Sequence, residues 1–175
     1  MNHCDKPAGV AAGRRGYRYP TEMEEKMKIN IVHSKELDKW IAEHHYLHSA
    51  PAGAIIRMEI QDDTSQRIGG MMWGRNPSPK QDQRNVLCLT RMYCVDDTEP
   101  YTESRALAMA RKYIRKHYPQ IKGLVAYSST GAGHKGTIYQ ADGWFEVSRT
   151  SGGKDCRAGR KNIDVSPKIK WCRTP

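Results

Sequence analysis

The polar and apolar positions of this 175-residue chain change period several times, and each change marks a predicted element. Lys28 to His33 alternates through Ile29 and Ile31, the period of a strand. Ser34 then offers a capping oxygen, Glu36 suits a first helical turn, and Leu37, Trp40, Ile41 and His44 follow at helical spacing. The stretch His44-His-Tyr-Leu-His48-Ser-Ala-Pro51 has neither period and reads as an exposed hinge closed by proline. Residues 53–61 and 67–74 read as a hairpin turned at 62–66, and 74–84 as a polar, proline-broken loop. Residues 85–95 form a long apolar strand. Thr102 is the expected cap of a helix whose apolar face is Ala106, Leu107, Ala110, Tyr113, Ile114 and His117, with Arg111, Lys112, Arg115 and Lys116 outward, and Pro119 ends it. An apolar strand at 123–129 runs into Thr130-Gly-Ala-Gly133. A short helix at 137–142 follows, then Gly143 as a left-handed stop and a strand from Trp144 to Val147.

The order β-α-β-β-β-α-β-α-β predicts an α+β domain: a central, mostly antiparallel mixed sheet flanked by helices on both faces. There are no internal repeats. Residues 1–27 have no period and are expected to form a poorly ordered arm, 28–150 the folded domain, and 151–175 a basic C-terminal extension.

Composition narrows the partners. No run of 18 apolar residues and no signal-peptide core is present, so no membrane partner is expected. Five cysteines without a CxxC pair predict neither a disulfide framework nor a zinc ribbon and fit a reducing cytoplasm. The net charge of +10 points to an anionic partner, with nucleic acid and CoA phosphates both open. Residues 151–175 carry seven Lys or Arg against Asp155 and Asp164, so half of the excess lies there, and either a DNA-contacting tail or a solvated one accounts for it.

The run of strand, glycine loop, short helix with Tyr139, glycine stop and strand resembles the end of acyl-CoA-dependent GNAT transferases, whose element order is also similar. Those proteins carry a glycine-rich pyrophosphate loop after the fourth strand, whereas this chain has Asp96-Asp-Thr-Glu-Pro-Tyr-Thr-Glu-Ser-Arg105, without glycine. A narrower set, His45-Tyr-Leu-His48-Ser, Leu89-Thr-Arg91, Glu103-Ser-Arg105 and Gly133-His-Lys-Gly-Thr-Ile-Tyr-Gln-Ala141 before Trp144, resembles the bacteriophage Mom family of DNA-modification proteins over residues 28–150. These are GNAT-like enzymes that convert adenine in DNA to N6-carbamoylmethyladenine, so the resemblance implies a bacterial host cytoplasm and a double-stranded DNA partner, with the oligomeric state open, a homodimer included.

The resemblance further implies catalytic roles for His45, Tyr46, Arg91 and Tyr139, cofactor contacts at Ser104 and Arg105, and iron near His45, Tyr46 and His48. Acetyl-CoA or another compound would donate the group. Where the family ends its fifth strand in Tyr-Ala-Asp, this chain reads Tyr127-Ser-Ser129. The chemistry suits the residue types. A phenol can protonate a leaving group, a histidine can serve as base or ligand, an arginine can clasp an anion, and a serine at a helix start can meet phosphate. Each also has a plain structural reading: a polar hinge, a surface-strand arginine, a cap, a core tyrosine. Arg75, Lys80 and Arg84 in the loop, and Lys154, Arg157, Arg160 and Lys161 in the tail, are expected phosphate contacts. Reaching adenine in a duplex requires flipping it out, and Tyr46, Trp73 and Trp144 are the stacking candidates, with a core position the better reading for Trp144 and with His134 facing the substrate. Two other readings stand beside this one: a GNAT N-acetyltransferase acting on a protein or small-molecule amine, and a basic DNA-binding module without catalysis. The missing glycines count against the first, and the retained His-Tyr pair and Tyr139 against the second.

Overall fold

The computed structural model describes residues 27–51, 53–153 and 164–175, so all of the expected arm but Met27 lies outside the described residues. In chain order the elements are β1 (Met27–Ile31), α1 (Glu36–His44), β2 (Ala54–Asp62), β3 (Arg67–Gly74), β4 (Val86–Cys94), α2 (Thr102–His117), β5 (Gly123–Ser129), α3 (Thr137–Ala141), β6 (Phe145–Thr150) and β7 (Lys168–Arg173). They build one seven-stranded sheet in the order β1-β2-β3-β4-β5-β7-β6. Every neighbouring pair is antiparallel except β4 with β5.

Alternation along β3 decides which helix covers which face. Met71 joins the larger core with Ile56, Met58, Ile60, Leu107, Ile114 and Leu124, beneath α2. Met72, one residue on and therefore pointing the other way, packs with Leu37 and Ile41 of α1. Gly70 shares that second face, and a Cβ there would lie 2.8 Å from Leu37 Cδ1, so α1 settles on bare backbone. Ser34 Oγ accepts the Glu36 amide at 3.0 Å, as a cap should.

Two expectations are corrected. Thr102 does not cap α2 by accepting a first-turn amide. Its hydroxyl donates to the Glu99 carbonyl at 2.7 Å, and Tyr101 before it takes a left-handed turn at φ 67°. The last residues are also not an appended extension. Lys168–Arg173 alternates, with Ile169 and Trp171 buried, and forms the strand between β5 and β6.

The parallel pair determines where the sheet opens. β4 and β5 are in register from Val86 with Gly123 to Leu89 with Ala126. Beyond that, β4 continues along β3 and β5 along β7, so the two strands part. Thr90 is the extra residue of a bulge at the parting, because Met72 faces Arg91 while Trp73 faces Leu89.

Candidate functional site

A cavity of about 1060 Å³ lies in the parting, lined by Leu89, Thr90, Arg91 and Met92 of β4 and Tyr127, Ser128 and Ser129 of β5. One wall is the hinge after α1, with His45, Tyr46 and Pro51. The other runs from Gly133 into α3, with Tyr139. His45, Tyr46, Arg91 and Tyr139 thus line one cavity. Ser104, Arg105 and His48 do not line it.

His45 is buried, and its Nδ1 accepts the Leu47 amide at 3.2 Å. Burial, then the Arg91 charge and the neighbouring His134 and His48, lower its pKa to about 4. A neutral imidazole whose Nδ1 lone pair is occupied carries its proton on Nε2, so the ring acts as a hydrogen-bond donor rather than the expected base. Its ring stacks on Tyr46 at 4.5 Å, and Tyr46 meets His134 at 5.2 Å.

Tyr46 is 42% exposed and Tyr139 only 7%. Burial, with Cys88 and Tyr46 adding, raises the Tyr139 phenol far above its ordinary value, so it keeps its proton. Tyr139 stacks on Trp171 at 5.7 Å and meets Trp144 edge-on at 5.4 Å. Gly136, at φ +79°, starts α3 where a Cβ would be 2.2 Å from the Trp171 ring. Trp171 Nε1 in turn donates to Ser128 Oγ at 2.9 Å. On the far side Asp142 accepts Arg111 at 2.8 and 2.7 Å and Trp144 Nε1 at 2.8 Å.

Arg91 reaches back to the hinge. Its Nε donates to the Ser49 carbonyl at 2.9 Å, Nη2 to Ser49 Oγ at 3.1 Å and Nη1 to the Thr90 carbonyl at 2.6 Å. With these donors committed, its first task is to clamp the hinge to β4.

The iron expectation is not met by the donor set. Among the described residues no group of three His, Cys, Asp or Glu side chains is placed to hold a metal ion. His45 presents an N–H, His48 is off the cavity, and the Tyr46 pKa is raised, which disfavours the phenolate a metal would need. Cys88 also lines the cavity, but burial pushes its thiol up to about 12, which removes it as a nucleophile.

Ser104 is buried and donates to the Tyr101 carbonyl at 3.1 Å, while Arg105 lies 3.4 Å from Glu99. Trp73 and Trp144 are buried, which removes them as stacking surfaces and leaves Tyr46 with His134. Arg75, Lys80 and Arg84 are exposed, and Arg75 lines the cavity. Lys154, Arg157, Arg160 and Lys161 lie outside the described residues. Lys135 and Lys168 line the cavity too, and sequence reasoning passed over both. The glycines around Lys135 and the alternation around Lys168 were the available signals.

A model of the Mom protein family matches residues 26–166. Methylcarbamoylase mom of Escherichia phage Mu is 27% identical over 119 residues, covering 63% of this chain and 45% of that protein, so the match spans less than half of the relative's length. Spermidine N-acetyltransferase from Vibrio cholerae, in complex with CoA and spermine, superposes with a TM-score of 0.61 at 8% identity, covering 85% of this chain and 95% of that one. Arabidopsis thaliana NAA60, in complex with acetyl-CoA, gives 0.60 at 10% identity, covering 85% and 98%. The α+β GNAT-like architecture is therefore the fold of this chain.

Proposed function

The chain belongs to the Mom protein family, and we propose that it modifies the N6 amino group of adenine in double-stranded DNA, carbamoylmethylating it as a group transferase. The observation that carries this reading is the gathering of His45, Tyr46 and Tyr139 around the parting of β4 and β5. The two structural relatives above are in complex with CoA or acetyl-CoA on the same fold, which supports a bound group donor in this cavity. The α2 start is closed by Thr102 and Ser104 bonding to backbone carbonyls, so the donor's contacts fall to the cavity rather than to a glycine loop there.

A flipped adenine would stack at the mouth on Tyr46 beside His134, the exposed ring pair. Arg75, Lys80, Arg84 and Lys135, all exposed, would neutralise phosphates around it. Inside, N6 bonds the methylene carbon of the carbamoylmethyl group as that carbon's bond to the departing group breaks; the protonated Tyr139 phenol gives its proton to the departing group and regains the one that N6 loses. His45 contributes a second donor for developing negative charge. This convergence of proton-transfer groups favours an enzyme over a basic binding module.

Mass spectrometry of nucleosides from DNA of cells expressing the chain tests the reading. A new modified deoxyadenosine is expected, and Tyr139→Phe should reduce it about 100-fold or more while the protein stays folded. DNA without any modified base from well-expressing wild-type cells refutes it.

A further inference from the structure

Beside the cavity, half of one sheet face carries no helix among the described residues. α1 packs on that face at Gly70 and Met72 of β3. Gly74, two residues on, shares it and is in register with Cys88, followed across the sheet by Val125, Cys172 and Phe145. The adjacent row is Tyr127, Lys170 and Ser148, and Lys168 lies in the row after that. Tyr127 and Lys168 also line the cavity, so the face continues its floor outward. All six residues of β6 are exposed, Phe145 by 71%. From the Lys168 row to the Phe145 row the face runs about 13 Å, about four base steps of a duplex strand.

We propose that this face is the track for the DNA strand that flanks the flipped adenine, with Lys170 on a phosphate and Phe145 against a deoxyribose. The inference rests on the reading of DNA as the substrate of the cavity. Charge selects the occupant. Glu146, the one acid of β6, is in register with Trp171 and so faces the other way, where Arg149 holds it at 2.6 and 2.9 Å. Lys168 is already paired with Asp164 at 2.8 Å. Lys170 Nζ donates to Gln81 Oε1 at 3.0 Å, a neutral acceptor that leaves the ammonium charge uncancelled. Gln81 belongs to the loop after β3, which Gln83 holds in shape: its Nε2 donates to the carbonyls of Asn76, Ser78 and Gln81 at 3.3, 2.8 and 3.1 Å. That loop stands as a wall along the track and carries the exposed Arg75, Lys80 and Arg84. The cavity end is tied down as well, since Ser129 Oγ lies 2.6 Å from Ser166 Oγ and joins β5 to the turn before β7.

A second copy of the chain suits the face less well. A strand added at the β6 edge would follow a ladder that slips between Glu146 and Ser148, and such a bulge turns an edge away from further pairing. A two-fold copy laid face to face would bring the same lysines toward each other. A phosphodiester strand offers an anion and an apolar sugar at each step, which suits a lysine one row from an exposed ring.

Binding of a DNA duplex by the full chain, followed by fluorescence anisotropy across salt concentrations, tests the track. Lys170→Gln should weaken binding about eightfold at 0.1 M salt and reduce the slope of log affinity against log salt by about one, as loss of one phosphate contact requires. Lys170→Arg should keep the slope. Phe145→Ala should weaken binding about threefold at an unchanged slope, because covering an apolar ring releases no counterions. Lys116→Gln, exposed on α2 across the sheet, should alter neither. Wild-type affinity and slope in Lys170→Gln overturn the proposal, and so does an equal loss in Lys116→Gln, which would make the effect one of net charge. If Phe145→Ala turns a dimer into a monomer in sedimentation and leaves affinity unchanged, the face belongs to a second copy and the proposal falls. A wild-type chain that binds DNA with these dependences yet yields no modified nucleoside refutes the proposed function and leaves the track standing. One that binds no duplex refutes both.

Discussion

On one side of the cavity, His45 to Pro51 presents polar rings and is tied down from outside by the Arg91 guanidinium, through Ser49 and Thr90. On the other side, Gly133 to Tyr139 is fixed from beneath by Trp144 and Trp171, with an ion pair of Arg111 and Asp142 behind. The first wall depends on a few directional bonds that water can replace. The second depends on ring packing, which water cannot supply. Tyr46 and Tyr139 meet the same cavity under those two regimes, one half-open and orientable, the other sealed and immobile. A site that must admit a large substrate and still hold one proton in place gains from one yielding wall and one rigid wall.

The largest effect should come from attacking the packed wall. Trp171→Ala removes a buried ring that supports α3 and should cost about 3–5 kcal/mol in denaturant unfolding. Activity should go with it, because Tyr139 loses its stacking partner. A cost below about 1 kcal/mol would show that the wall stands without the tryptophan and would remove the contrast.

Acid should weaken the polar wall next. His45 titrates at its ordinary 6.5 when unfolded and at about 4 in the fold, so the unfolded chain binds more protons between those values. Its contribution is full above pH 6.5 and is lost as the pH falls toward 4, by up to about 3 kcal/mol. Melting temperatures from pH 7 to 4.5 should fall, and His45→Gln should flatten that slope. An equal slope in the variant would assign the acid sensitivity elsewhere.

The smallest effect separates the walls most cleanly. Arg91→Lys keeps the charge but loses the fork that holds Ser49 and Thr90, at about 1–2 kcal/mol. Hydrogen exchange should speed up in the amides of the hinge and remain unchanged in α3. Faster exchange on both sides would mean that the walls move as one body.

Much of this architecture was legible because it is local. The Ser34 cap, the left-handed stop at Gly143 and the period changes around the hairpin depend on neighbours a few residues apart. β7 was hidden by its own charges: Lys168, Lys170 and Arg173 drew attention to phosphate, while the alternating Ile169 and Trp171 carried the strand signal. Trp73 reads as a stacking surface because periodicity cannot tell a buried tryptophan from an exposed one, whereas the core place expected for Trp144 is the one it takes. The link from Ser129 to Ser166 joins positions 37 residues apart and has no signature along the chain. His45 was found as a site residue, yet its donor role follows from one amide, that of Leu47, whose placement only the fold reveals.

The place of β7 between β5 and β6 also has a kinetic consequence. Until residues 168–173 arrive, β5 has a partner on one side only and β6 has none, with Phe145 and Val147 exposed on it. Such long-range pairing is slow to form and leaves open edges while it waits. Completion of the cavity is therefore tied to the last step of sheet assembly, since the same segment delivers Trp171 beneath Tyr139 and Lys168 to the lining. A chain cut before Lys168 would present a half-built sheet to its surroundings, and its fate would be decided by chaperones and proteases before any chemistry began.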